Sequence, residues 1–176
     1  MAKKFLTIIL FLLIFSPAAL AGGDAVNMYE TPRDLPDKEL VREDGKHFKL
    51  SDFKDEFVLA MFWSRHCTPC IKELDDINNF ANKTKYDGIK VVLISPSQEW
   101  ISTEEQRNFL NKYGATDLKF YVDEKSNLAA DLGIFTSPNT VLVNKKGLEI
   151  GRIRGSADWD DDEIIEYIYK LKAKHG

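Results

Sequence analysis

Seven apolar residues in a row, Phe57-Val58-Leu59-Ala60-Met61-Phe62-Trp63, run into the pair Cys67-Thr68-Pro69-Cys70. Behind the pair, Ile71, Leu74, Ile77 and Phe80-Ala81 recur at helical spacing. An apolar run without alternation reads as a strand buried on both faces, and such a strand needs a layer above it and another below. The cysteines then fall just beyond the C-terminal end of a central strand, in the loop that opens a helix from about Cys70 to Phe80. Open α/β sheets carry ligands and reactive groups at that edge.

The rest of the chain supplies the layers. Leu40 to Leu50 reads as a hairpin turning at Asp44-Gly45. After Asp87-Gly88, Ile89 to Ser95 forms a second buried strand. Ser102-Thr103-Glu104-Glu105 is a capping box that opens a helix to about Tyr113, closed by Gly114. Leu118 to Val122 is a short strand, and Leu128 to Leu132 a short helix stopped by Gly133. Thr140 to Val143 and Leu148 to Arg154 form a hairpin across Asn144-Lys145-Lys146-Gly147. Asp158 to Lys174 is a final helix, acidic where it starts and basic where it ends, as the helix dipole favours. Strands alternating with helices predict an α/β sandwich around one mixed sheet. Phe109, Phe120 and Phe135 are core candidates, and Trp159 is read as packing for the last helix.

The N-terminus is a separate object. Lys3 and Lys4 precede an apolar run from Phe5 to Phe15, then Ser16-Pro17 and the small-residue pattern Ala19-Leu20-Ala21. This is the layout of a secretory signal over residues 1–21, cleaved after Ala21. An uncleaved N-terminal anchor is the alternative, against which the run is short for crossing a bilayer alone. No stable membrane insertion is expected after cleavage. Residues 22–37 are polar, with Gly22-Gly23, Pro32 and Pro36, and read as a loosely held arm. Residues 38–176 form one domain. The net charge of −4 lacks the basic excess that would hold a phosphate backbone, which excludes nucleic acid as a partner.

Export changes what the cysteines mean. In an oxidising compartment a disulfide persists, but a bridge between residues 67 and 70 closes too small a loop to restrain the unfolded chain much. A pair placed for reactivity is the better reading. Zinc wants about four ligands, and the chain has two Cys and three His, with His47 and His175 remote in sequence. Haem attachment requires His after the second Cys, where Ile71 stands. An inert buried pair is the remaining alternative. The expectation is no metal and no cofactor beyond the disulfide itself.

The segment Phe62-Trp63-Ser64-Arg65-His66-Cys67-Thr68-Pro69-Cys70 resembles the active-site stretch of thioredoxin-fold proteins. Thr136-Ser137-Pro138-Asn139-Thr140, just before a hairpin strand, resembles the cis-proline loop of that fold. The hairpin before the first buried strand, the αβ unit inserted between Ser95 and Pro138, and Glu73 three residues after the second Cys are similar to the TlpA-like branch of exported thioredoxins. The likeness spans Lys38 to Leu171. Three positions depart from it. His66 stands where the family usually has Trp, Ser137 replaces an aliphatic residue before the proline, and Met61 stands where a buried Asp or Asn is common. Met61 cannot serve as a proton carrier.

The resemblance implies thiol–disulfide exchange. Cys67, at a helix N-terminus, would be the thiolate nucleophile, and Cys70, one turn on and more buried, would resolve the mixed disulfide. Pro69 suits a first helical turn because its missing N–H is not needed there. Glu73 reads either as a proton carrier for Cys70 or as a solvated helix residue beside Lys72. His66 either supports the Cys67 thiolate or faces solvent. Trp63, His66, Thr68, Pro69, Ser137 and Pro138 are the substrate-facing candidates. Pro138 is either an ordinary turn proline or, with the upstream motif, a cis proline that brings Ser137 backbone groups beside Cys67. The expected activity is reduction of protein disulfides, of the cytochrome c maturation type, fed by a membrane thiol donor. The competing readings are a copper-delivery or non-catalytic binding module on the same fold, and a peroxidase. A copper site would want wider Cys spacing and a dedicated His, and the adjacent second Cys argues against a peroxidase.

Overall fold

The computed structural model describes residues 26–176. The signal-like segment 1–21 and the start of the arm lie outside them. The described residues form one mixed sheet of eight strands in the order β1-β8-β7-β4-β5-β6-β2-β3. These strands are β1 (Asn27–Asp34), β2 (Leu40–Arg42), β3 (His47–Phe48), β4 (Phe57–Phe62), β5 (Ile89–Pro96), β6 (Phe120–Asp123), β7 (Asn139–Val143) and β8 (Leu148–Arg154). β4 pairs in parallel with β5 and antiparallel with β7, and β5 pairs in parallel with β6. The helices are α1 (Thr68–Lys72), α2 (Leu74–Thr84), α3 (Thr103–Lys112), α4 (Asn127–Asp131) and α5 (Asp162–His175).

The apolar run of β4 does what its composition demands. Phe57, Leu59, Met61 and Trp63 enter a core shared with Cys70, Leu74, Ile77, Phe80, Leu110 and Ile168. Val58, Ala60 and Phe62 enter a second core on the opposite face, with Leu128, Leu132 and Ile134. Side chains alternate across a strand, so a strand with helices on both faces has no polar side. The inserted αβ unit is present as α3 and β6.

Three expectations need correction. The supposed arm contains a strand, because β1 pairs antiparallel with β8 at the sheet edge. Its side chains are mostly exposed, which erases the alternating pattern that would have marked it. Its hold comes from backbone pairing and from the Tyr29 hydroxyl, which donates to Glu149 at 3.0 Å. The last helix begins at Asp162 behind an Asp161 cap rather than at Asp158. Residues 157–159 are held elsewhere, as described below. Phe135 is no core residue: it is 86% exposed. Phe120 is fully buried, and Phe109 is half-buried against Trp63 and Trp100.

Candidate active site

β4 delivers the chain to the sheet edge, where the Trp63 amide still bonds Ile94 O at 2.9 Å. The next two residues are tied to the inserted unit. The Ser64 hydroxyl donates to Glu99 Oε1 at 2.6 Å, and the Arg65 amide donates to Glu99 Oε2 at 2.9 Å. Arg65 Nη1 donates to the Glu99 carbonyl at 2.9 Å and to Glu105 Oε1 at 2.8 Å. Its guanidinium lies 4.7 Å from the centre of the Trp100 ring. One carboxylate thus holds both the side chain and the backbone of the loop that precedes the cysteines.

Cys67 is the N-cap of α1, and Cys67 and Cys70 form a disulfide with Cα atoms 5.3 Å apart. The Cys70 amide donates to Cys67 Sγ at 3.2 Å, one of the unpaired N–H groups that a helix start offers. Cys67 is half-exposed and Cys70 fully buried. Pro69 sits in the first turn, where no N–H is required. Thr68, Pro69 and His66 are exposed. The helix starts at Thr68, two residues earlier than the spacing suggests, and breaks at Glu73, which ends α1 and opens α2.

The Ser137–Pro138 bond is cis. The Ser137 carbonyl oxygen lies 3.3 Å from Cys67 Sγ, and the Pro138 carbonyl accepts from the Gly155 amide at 3.0 Å. Beside this loop a cavity of about 160 Å³ is walled by Phe62, Ile94, Ala129 and Ile134 and rimmed by Phe135 and Ser137. Trp63 is 1% exposed, so it backs the site and offers a docked chain almost no surface.

Glu73 is not a solvated helix residue: it is 4% exposed. Its Oε2 accepts from the Ala157 amide at 3.1 Å and from Trp159 Nε1 at 3.0 Å. Its Oε1 has no hydrogen-bond partner among the described residues. Burial pushes the carboxyl up to about 7 against the pull of the two N–H donors, and Asp76 and Asp158 add to the rise. The group is therefore poised between its charged and neutral forms near neutral pH. Trp159 is more than packing for the last helix. It packs edge-on against Phe80 and also binds Glu73. Among the described residues no group of three or more His, Cys, Asp or Glu side chains is placed to hold a metal ion.

Residue reasoning brings Cys67, Cys70, Glu73, Ser137 and Pro138 into one region. It misses Glu99, Arg65, Ala157 and Trp159. Glu99 lies 35 residues from Ser64, and Trp159 lies 86 from Glu73. No local spacing connects them. A tryptophan directly before an acidic helix start was the one available hint.

A thioredoxin-like sheet, with a paired-cysteine helix start facing a cis proline, defines the class: thiol–disulfide oxidoreductases of the thioredoxin fold. The AhpC/TSA family model matches residues 32–151, and the chain belongs to that family. Curated relatives include the thiol-disulfide oxidoreductase ResA of Bacillus thuringiensis subsp. konkukian, 28% identical over 81% of this chain and 79% of that protein. Among solved structures, the exposed lipoprotein thioredoxin Etrx1 of Streptococcus pneumoniae is 25% identical with a TM-score of 0.60, over 77% of this chain and 99% of that one. A thiol:disulfide interchange protein from a Bacteroides species shares the fold at 20% identity and a TM-score of 0.66, over 81% of this chain and 90% of that one.

Proposed function

We propose that this oxidoreductase is exported and works as a reductant of protein disulfides, in cytochrome c maturation or a similar thiol-protecting role. The observation that carries the reading is the asymmetry of the pair. A half-exposed Cys67 caps a helix, and a buried Cys70 lies one turn below it and three residues before a buried acid. In the reduced protein, the Cys67 thiolate attacks a substrate disulfide and the first substrate thiolate leaves. Cys70 gives its proton to the Glu73 carboxylate and attacks Cys67 Sγ, and the second substrate thiolate leaves. The substrate gains two electrons and the pair loses two, ending as the Cys67–Cys70 disulfide. A membrane thiol donor restores the dithiol. No further cofactor enters the cycle, and a protein substrate pairs in extended form along Ser137.

Export rests on the layout of residues 1–21. No helix among the described residues is long and apolar enough to cross a membrane. The reducing direction rests on the TlpA-like likeness. A strongly oxidising pair needs a heavily stabilised thiolate. The test is the reduction potential of the mature protein, equilibrated in graded thiol–disulfide buffers and read by alkylation. The expected value lies nearer that of thioredoxin, about −270 mV, than that of DsbA, about −120 mV. An oxidising value overturns the direction, and failure to form the intramolecular disulfide at any poise overturns the cycle.

A further inference from the structure

Trp159 lies outside the cysteine motif, yet its indole N–H reaches the buried acid three residues after Cys70. We propose that Trp159 is a positioning residue for Glu73, fixing which carboxyl oxygen exchanges the proton; this rests on the reading of Glu73 as proton acceptor for Cys70. Oε2 receives two N–H donors, from Trp159 at 3.0 Å and from the Ala157 backbone at 3.1 Å. A carboxylate oxygen engaged by two donors has no lone pair directed at a third proton in the carboxyl plane. Oε1, without a partner among the described residues, is the oxygen left to take one.

The setting suits such a role. Trp159 is 1% exposed, is held edge-on by Phe80, and shares its apolar cluster with Cys70. The indole cannot turn away without vacating that core. The charged groups acting on Glu73 are Asp76 from α2 and Asp158 from the loop before α5, and both favour the neutral acid. The indole and the Ala157 amide oppose them by favouring the carboxylate. The Ala157–Trp159 segment therefore balances burial and two acidic neighbours.

The test uses the reduced mature protein and dithiobis(nitrobenzoate) in stopped flow. Attack by Cys67 releases the first chromophoric thiolate. Resolution by Cys70 releases the second, so the two steps are read separately across pH. In W159F the pH midpoint of the second phase is expected to rise by about one unit, the scale for a carboxylate losing one N–H donor. The first phase should keep its profile, which a general loosening of the fold would not allow. E73Q should abolish the second-phase midpoint, and W159F added to E73Q should change nothing more. An E73Q protein with an unchanged profile overturns the proton-acceptor reading and this inference with it. A normal E73Q effect with no shift in W159F overturns the role of Trp159 alone. Should W159F fail to fold, the infrared band of protonated Glu73, identified as the band missing from E73Q, decides the matter. A carbonyl stretch lowered by two hydrogen bonds supports the assignment, and a stretch typical of a free carbonyl overturns it.

Discussion

The two sulfurs of one disulfide sit in opposite surroundings. Around Cys67 the protein is open: the residue is half-exposed, its loop is held from the side by Glu99, and Thr68, Pro69 and Phe135 face solvent. Around Cys70 it is closed, with a fully buried sulfur in the apolar core and a buried acid clamped by Trp159 and Ala157. The open side can meet many partners. On the closed side, the proton transfer proposed from Cys70 to Glu73 would run between two buried residues. Exchange chemistry needs both, because the first step joins two molecules and the second must outrun return attack by the substrate thiolate just released.

Removing either sulfur gives the largest effects and separates the two sides. C67S should abolish disulfide reduction. C70S should keep the first step and accumulate the mixed disulfide, detectable by mass spectrometry. Equal loss without trapped adduct in C70S would break the division of labour.

The next effect concerns the closed side. Burial raises Glu73 from 4.5 to about 7, so between those pH values the folded protein holds a proton that the unfolded chain has released. Its contribution is therefore fully present below about pH 4.5 and is lost as pH rises through about 7. Stability should fall by about 3 kcal/mol across that window, an order-of-magnitude figure from the size of the shift. E73Q should remove this fall. Denaturant titrations of both proteins at pH 5 and pH 8 check it, and parallel pH curves would show that Glu73 is not raised.

On the open side, E99A should cost about 1–3 kcal/mol of stability, since it strips partners from the Ser64 hydroxyl and the Arg65 amide. It should slow the Cys67 phase of the stopped-flow reaction while leaving the Cys70 phase in place. Slowing of both phases would mean that the loop and the buried acid are coupled.

The smallest effect on the fold should come from F135A. That side chain is 86% exposed, and surface changes of this kind stay within about 0.5 kcal/mol. A rise in KM for protein disulfides, with none for a small disulfide, would place Phe135 in the contact with the partner chain. Equal behaviour toward both would remove it.

Much of the fold was legible because β4, β5 and the helices carry their burial in their composition. Phe57 to Trp63 has no polar position, and Ser102 to Glu105 marks a helix start within four residues. β1 was illegible for the opposite reason, since an edge strand exposed along most of its length shows no periodicity. Phe135 misled because an aromatic residue is usually buried, and here it stands 86% exposed in the loop before Ser137. The cysteines and Pro138 could be read from short-range motifs. Glu99 and Trp159 could not, because each reaches the site from a distant part of the chain.

The sequence alone determined where the chemistry sits: two cysteines one helical turn apart, behind a strand too apolar to lie anywhere but inside. Local spacing suffices to place the pair, since strand burial and helix initiation are short-range properties; the exchange chemistry was read from the likeness of Phe62–Cys70 and Thr136–Thr140 to the thioredoxin fold. Only the tertiary structure decided how the chemistry is tuned. Whether Glu73 is a solvated surface charge or a buried acid near neutrality depends on the loop that covers it. That loop enters 84 residues later at Ala157, by packing the whole sheet and helix layer between them. Desolvation and hydrogen bonding act through space, so no reading of neighbours along the chain could have supplied them.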